Sequence, residues 1–215
     1  MQSIKKAKLV LENGLEFQGF SFGYDQPACG EVVFSTAMVG YPESLTDPSY
    51  SGQILCVTYP IIGNYGVPAD EHENGISKYF ESDKIQVKAL VISDYSFNYS
   101  HWNAAKSLDQ WLKENQIPGI FGIDTRELTK TLRDNGSMMG KIVQEDCNAD
   151  LACVNPNVVN QVDEVSCKEV ITYNAGKGKK VVLLDCGVKN SILRTLTQKD
   201  VEVIRVPWNY NFNEL

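Results

Sequence analysis

A strand–helix–strand pattern near the carboxyl terminus constrains the fold of this chain most strongly. The run Lys180–Asp185 contains consecutive apolar residues, as in a strand buried on both faces, and Val201–Val206 is a second such run. Between them, Asn190–Lys199 carries apolar residues at helical spacing. This order predicts a parallel βαβ unit with a right-handed crossover. Because two parallel strands alone leave their faces uncovered, we expect the unit to be the opening of a truncated α/β domain.

The amino-terminal part of the chain has a different pattern, dominated by short β-rich runs. Apolar residues alternate around Asn13-Gly14, a dipeptide that suits a type I′ turn because both central residues of that turn have positive φ. A β-hairpin is therefore expected first. Three further β-rich runs follow and predict a β-dominated layer: Glu31–Val39, Gln53–Tyr59 and Val87–Ser93.

Helical spacing first occurs over residues 102–115, where the sequence Ile117-Pro118-Gly119 predicts the end of a helix. A second helix is predicted before Asn135-Gly136, after which Met138–Val143 is interpreted as a returning strand. With about two helices beside a β-rich layer, the sequence predicts a compact α+β unit.

The start of the second helix has the clearest local signals. Asp124 can cap the free backbone N–H groups, and Glu127, three residues later, can reach back to the cap. Ile123 can pack against Leu128 as a hydrophobic staple. Capping accounts for Asp124, so we assign it a structural role, whereas Arg126 is compatible with an interface or a structural role.

Three segments are expected along the chain. Residues 1–150 form the α+β domain, residues 151–178 form a polar and irregular connection, and residues 179–215 begin the α/β domain.

The charge balance and the apolar runs exclude two classes of partner. The net charge is −7, the isoelectric point is near 4.9, and the densest basic cluster is Lys177–Lys180, which disfavours a nucleic-acid surface. Runs such as Ile54–Ile62 are far shorter than the roughly 20 residues of a membrane-spanning helix. The basic start Met1–Lys8 is not followed by the apolar region of a signal peptide, so a cytoplasmic protein is expected.

The cysteines and histidines do not form the pattern of a metal site. No C-x-x-C occurs, and His72 and His101 are the two histidines of the chain, so we predict no metal ligands. The cysteines are far apart, and reduced thiols are expected at all six: Cys29, Cys56, Cys147, Cys153, Cys167 and Cys186.

Two places offer candidate chemistry. Cys186 lies at a strand end before a helix, where a helix N-terminus could activate a thiol, but we favour a packed structural cysteine. The segment Val39–Gly52 is rich in turn formers and hydroxyls, so Ser49 or Thr46 could present an oxygen to a ligand while Pro48 holds the loop. The alternative is a self-capping turn in which these side chains satisfy local backbone groups.

Four runs resemble the small subunit of carbamoyl phosphate synthetase. The most specific is GEVVFSTAMVGYPESLTDPSYSGQI at Gly30–Ile54. Three more follow in the same order: TYPIIGNYG at Thr58–Gly66, GIDTRELT at Gly122–Thr129 and VLLDCGVKNSILR at Val182–Arg194. Together they span nearly the whole chain.

The resemblance implies an amino-terminal domain peculiar to this subunit, joined to a class I glutamine amidotransferase domain. The complete small subunit would hydrolyse glutamine and pass ammonia to a large synthetase subunit. That subunit makes carbamoyl phosphate, for pyrimidine and arginine biosynthesis, from ammonia, bicarbonate and ATP. ATP and Mg would be used by the large subunit, and no cofactor is expected in this chain.

The resemblance also assigns Ser49 a contact with glutamine, and a site between two domains needs polar groups from each. The family's catalytic Cys, His and Glu would lie beyond Leu215, so no catalytic residue is expected here and the chain alone should not hydrolyse glutamine. Cys186 does not match the family nucleophile. The alternative function is a non-catalytic interaction module of β-rich fold.

Overall fold

The computed structural model describes residues 4–145, 147 and 151–212, apart from the side chain of Asn157. The strands in this part of the chain are β1 Lys6–Leu11, β2 Glu16–Gly23, β3 Ala28–Ser35, β4 Gln53–Ile62, β5 Val67–Pro68, β6 His72–Glu73, β7 Ile76–Ser77, β8 Ala89–Tyr95, β9 Ala104–Lys106, β10 Pro118–Phe121, β11 Met138–Gln144, β12 Ile171–Asp185 and β13 Val201–Pro207. The helices are α1 Tyr41–Thr46, α2 Leu108–Glu114, α3 Thr125–Asn135, α4 Gln161–Val165 and α5 Asn190–Thr197.

The amino-terminal strands close into a barrel with the order β1-β11-β3-β4-β8-β10-β2. Strands β3, β4, β8 and β10 run parallel to one another, and the remaining pairs are antiparallel. The prediction of an α+β unit is confirmed in its mixture of a large sheet and few helices. The predicted β-dominated layer closes on itself into a barrel, which removes the edges of the sheet.

The parallel strands are buried on both faces, because successive side chains of a strand point in opposite directions. Inside the barrel, Leu9 and Ile54 pack with Leu128 of α3 in one apolar cluster. On the outside, Leu55 packs in a second cluster with Trp111 of α2 and with residues of α1. The two clusters fix the helices against the barrel.

The first hairpin is present, but its predicted turn type is wrong. Gly14 has a φ of 85°, whereas Asn13 is not among the residues with positive φ. The Gly14 N–H donates to the Leu11 carbonyl at 2.9 Å, and the Asn13 side chain accepts from the Leu15 N–H at 3.1 Å. The connection is therefore a three-residue loop with one left-handed glycine.

The predicted helix over residues 102–115 begins too early. Its amino-terminal residues form β9, which pairs with β5, and the hydroxyl of Ser107 then caps α2 by accepting from the Gln110 N–H at 3.1 Å. The prediction for α3 is confirmed at its cap, where Asp124 accepts from the Glu127 N–H at 2.9 Å. The Glu127 carboxylate lies 3.6 Å from Lys130 Nζ.

The predicted βαβ elements are present near the carboxyl terminus. Strands β12 and β13 pair in parallel and α5 connects them. β12 begins at Ile171, and both its first residues and α4 lie in the segment expected to be irregular. Register shifts between Ile171 and Lys179 accompany this polar part of the strand.

The expectation of six reduced cysteines is wrong, because Cys29 and Cys153 form a disulfide with their Cα atoms 5.6 Å apart. The two residues are 124 positions apart in sequence, so their spacing gave no sign that the fold brings them within bonding distance. The free cysteines of the described chain are Cys56, Cys147, Cys167 and Cys186.

Candidate functional site

Ser49 lies in a short 3₁₀ turn, Pro48–Tyr50, directly after α1. The Asp47 carboxylate accepts a hydrogen bond from the Ser49 backbone N–H at 2.9 Å and so fixes the turn. The side chain of Ser49 is exposed, and its hydroxyl forms no hydrogen bond with any residue in the described part of the chain. The backbone of the turn is therefore fixed, and the Ser49 hydroxyl is exposed on it.

Thr46, the second hydroxyl considered from the sequence, has a structural role. It is buried, its hydroxyl donates to the Pro42 carbonyl at 2.9 Å, and the same oxygen accepts from the Glu81 N–H at 2.9 Å. The self-capping alternative is thus correct for Thr46. Sequence patterns also missed α1 itself, because its Gly-Tyr-Pro start was interpreted as a turn.

The turn between β12 and α5 packs against the Ser49 turn, so the βαβ unit contacts the barrel part of the chain there. A Cβ built at Gly187, which has a φ of 97°, would lie 3.3 Å from Pro48 Cβ and 2.8 Å from Val165 Cγ2. Lys189 Nζ lies 3.2 Å from the Asp47 carboxylate. Glycine is needed at 187 because of both its backbone conformation and this close approach.

Helix α5 is held against the segment between β7 and β8 by a contact between its own Arg194 and Glu81 of that segment. The Arg194 guanidinium lies 3.1 Å from Glu81 Oε1 and also donates to the carbonyls of Ser77 and Phe80. The second Glu81 carboxylate oxygen accepts from the Ser191 N–H at 2.9 Å. Glu81 is buried, and both oxygens of its carboxylate have partners on α5.

The turn beside Ser49 is organised by the buried carboxylate of Asp185. One oxygen accepts from the N–H groups of Gly187 at 2.9 Å and Val188 at 2.8 Å. The other accepts from the Cys167 N–H at 2.7 Å and lies 2.6 Å from an Arg205 guanidinium nitrogen. Burial raises the pKa of Asp185, but these donors outweigh burial and lower the pKa below its usual range.

Cys186 is exposed beside this turn, so its interpretation as a packed residue is wrong. It forms no hydrogen bond with a described residue, and the polar partners of the two histidines lie elsewhere: His101 Nδ1 accepts from the Asn103 N–H, and His72 Nδ1 lies 3.8 Å from Asp70 Oδ1. In the part of the chain that the structure covers, no group of three or more His, Cys, Asp or Glu side chains could hold a metal ion. No described helix is long and apolar enough to cross a membrane.

Where the barrel meets the βαβ unit, an exposed hydroxyl thus lies on a fixed turn. A family model described as "Carbamoyl-phosphate synthase small chain, CPSase domain" matches residues 9–142.

The chain belongs to this family.

Relatives of this carbamoyl-phosphate synthase family member are similar over almost its whole length. It is 49% identical over 213 residues to "Carbamoyl-phosphate synthase [ammonia], mitochondrial" of Mus musculus, a match that covers 98% of this chain and 14% of that protein. It is 48% identical over 221 residues to "Multifunctional protein pyr1-3" of Dictyostelium discoideum, covering 96% of this chain and 10% of that protein.

A separate small chain is also similar. The "Carbamoyl phosphate synthase arginine-specific small chain" of Saccharomyces cerevisiae is 44% identical over 215 residues, covering 98% of this chain and 52% of that protein. This family member thus spans about half or less of the length of these relatives. A solved structure, the "Aminopeptidase from Aneurinibacillus sp. strain AM-1", is 11% identical with a TM-score of only 0.36, over 94% of this chain and 48% of that one.

The sequence of this family member indicated Ser49 as a candidate, but it did not indicate the residues that fix the elements packed around Ser49. Glu81 and Arg194 are 113 positions apart, and no local pattern pairs them. Asp185 offered one weak signal, a carboxylate at the end of an apolar strand, where a buried charge requires partners.

Proposed function

We propose that this chain is part of the glutamine-hydrolysing small subunit of a carbamoyl phosphate synthase and supplies one wall of its glutamine site. The observation that carries the proposal is the exposed Ser49 hydroxyl, which lies on a fixed turn where the barrel meets the βαβ unit and has no hydrogen-bond partner in the described chain. Family membership supports the same assignment. A polar group at such a junction can orient an amide or carboxylate of a ligand.

In the proposed enzyme, residues 1–150 form the domain peculiar to the small subunit, residues 151–178 the connection, and residues 179–215 the start of the amidotransferase domain. The barrel also provides a docking surface for the large subunit, and the two form a cytoplasmic heterodimer. Ammonia released from glutamine is used there with bicarbonate and ATP, and ATP and Mg are held by the large subunit, so this chain needs no cofactor.

The chain alone is expected to be inactive towards glutamine. Amide hydrolysis by an enzyme of this class needs a thiolate, a base and oxyanion donors together. The exposed Cys186 thiol forms no hydrogen bond with a base in the described structure. A glutaminase assay on the isolated chain checks this expectation.

The role of Ser49 is tested with Ser49→Ala in the whole small subunit assembled with its large subunit. Loss of a hydrogen bond to the ligand, worth about 1–3 kcal/mol, should raise the KM for glutamine by a factor of roughly 5 to 150. Synthesis driven by added ammonium chloride should remain unchanged, because it bypasses the glutamine site. Ser100→Ala, another exposed serine, is the matched control and should leave both rates unchanged.

The outcomes separate the parts of the proposal. An unchanged glutamine KM in Ser49→Ala would show that Ser49 does not contact glutamine. Carbamoyl phosphate synthesis from ammonia but never from glutamine would refute the glutamine-hydrolysing role while leaving the synthase role intact. Separate elution of the chain and the large subunit in size-exclusion chromatography would contradict docking through this region.

A further inference from the structure

The disulfide fastens an irregular segment, residues 151–160, to the barrel; we call this segment the strap. Cys153 in the strap is bonded to Cys29 in β3. Apart from a 3₁₀ turn at Pro156–Val158, the strap has no helix or strand. Its turn hydrogen bonds run within the strap itself, from Val158 N–H to the Asn155 carbonyl at 3.1 Å.

The strap forms one side of an open groove of about 610 Å³, and the barrel forms the other side. Leu151 and Val159 line the strap side, and Pro27 and Ile117 line the barrel side. The side-chain oxygen of Gln161 is buried there without a hydrogen-bond partner in the described structure. The Cys29–Cys153 disulfide is a covalent attachment between the strap and the barrel.

The strap leads directly into α4. This helix contacts both the Ser49 turn and the turn between β12 and α5, and we call these two packed turns the Ser49 junction. A Cβ built at Gly52, just after the Ser49 turn, would lie 3.4 Å from the Gln161 side-chain amide. At the other end of α4, Val165 lies against Gly187 of the βαβ unit. The Trp208 indole N–H donates to the Asp163 carboxylate at 3.0 Å and ties α4 to the end of β13.

We propose that the Cys29–Cys153 disulfide is a thiol-sensitive latch that sets how firmly the strap and α4 are held at the Ser49 junction. In the oxidised chain the strap is fixed to β3 and α4 is held between Gly52 and Gly187. In the reduced chain the strap is released and α4 loosens. The consequence for glutamine binding rests on the proposed function, whereas the latch itself does not.

The chemistry of the latch is an ordinary thiol–disulfide exchange. One thiolate of the pair attacks glutathione disulfide to form a mixed disulfide and release glutathione, and the second thiolate then displaces the other glutathione. Two cysteine thiols are oxidised and one glutathione disulfide is reduced to two thiols. Both Cys29 and Cys153 are half-buried, so a small reagent can reach them. Disulfides in reducing compartments are uncommon and are usually catalytic or redox-sensing.

The first test counts thiols in the full chain after treatment with glutathione disulfide or with dithiothreitol. Alkylation of the unfolded chain should modify four cysteines after oxidation and six after reduction. Hydrogen exchange followed by mass spectrometry should then show residues 151–165 exchanging at least about tenfold faster in the reduced chain, because cross-linking a long loop strongly restricts opening. Strand β4 should exchange equally in both states.

Two variants control this test. Cys153→Ser, in an exposed irregular segment, should give the fast exchange even under oxidising conditions. Cys186→Ser keeps both latch cysteines and should switch like the natural sequence. Six alkylated cysteines after oxidation, or equal exchange of α4 in both states, would overturn the latch. Neither readout involves glutamine, so a failure of the glutamine proposal and a failure of the latch give different results.

Discussion

At the scale of single residues, the carboxylate of Asp185 shows how one charge organises the turn beside the candidate site. It is fully buried, is paired with Arg205 and accepts hydrogen bonds from three backbone N–H groups. A buried carboxylate is tolerated only when its charge is paired and its lone pairs are used. Removal of the charge leaves the Arg205 guanidinium half-buried without its counter-ion.

We therefore expect Asp185→Asn to lower the free energy of unfolding by about 3–5 kcal/mol, as is usual when one partner of a buried ion pair is removed. Urea unfolding followed by circular dichroism measures this change. The control is Glu16→Gln, which removes an exposed ion pair with Lys8 at 2.7 Å and should change stability by less than about 1 kcal/mol. Equal, small effects of the two substitutions would contradict the role of Asp185.

The Asp185 carboxylate also makes the stability of the fold depend on pH, and the direction of this dependence follows from its pKa. Because the folded state lowers the pKa of Asp185, its stabilising effect is fully present above the unfolded pKa of about 4 and is lost as the pH falls through the lower folded value. The stability difference between the natural chain and Asp185→Asn should therefore shrink below about pH 4. A difference that grows on acidification would contradict this assignment.

At the scale of elements, α3 and α2 differ in what fixes their ends. The start of α3 is encoded locally, since Asp124 caps it and Ile123 and Leu128 belong to the same buried cluster. The start of α2 depends on the pairing of β9 with β5, a contact between residues far apart in sequence. Local patterns therefore predicted the start of α3 correctly and placed the start of α2 too early.

Substitutions in α3 should separate the contribution of capping from that of packing. Asp124→Ala should cost about 1 kcal/mol, because it leaves the Glu127 N–H without its capping partner, while Asp124→Asn should be nearly neutral. Leu128→Ala should cost about 2–5 kcal/mol, because Leu128 is fully buried inside the barrel. Thermal unfolding of the three variants measures these changes, and a cap effect as large as the core effect would contradict the model of a locally capped, core-anchored helix.

At the scale of the whole molecule, the barrel and the βαβ unit are joined by a few specific polar contacts. Arg194 of α5 bonds to Glu81 and to the carbonyls of Ser77 and Phe80, and Lys189 pairs with Asp47. The described barrel has its own apolar clusters, which contain no residue of α5 or β13. The βαβ unit should therefore loosen without unfolding the barrel.

We expect Arg194→Ala to increase hydrogen exchange in α5, β12 and β13 by about 10- to 100-fold, the effect of losing hydrogen bonds to a charged group. Strands β1 and β4 should keep their protection. Lys113→Ala, which removes an exposed ion pair with Asp109, is the control and should leave exchange unchanged. An equal rise in the barrel strands would show that the two parts unfold as one cooperative unit.

The sequence by itself determined the features that depend on neighbouring residues. Alternating apolar residues predicted the first hairpin, and consecutive apolar residues predicted the strands of the βαβ unit. Asp124 predicted a helix start, and the run Gly30–Ile54 indicated the family and the candidate Ser49. Tertiary structure decided the rest: the closure of the barrel, the Cys29–Cys153 disulfide and the contact of Glu81 with Arg194. These features join residues far apart in the chain, so their energies depend on burial and distances that exist only once the chain is folded.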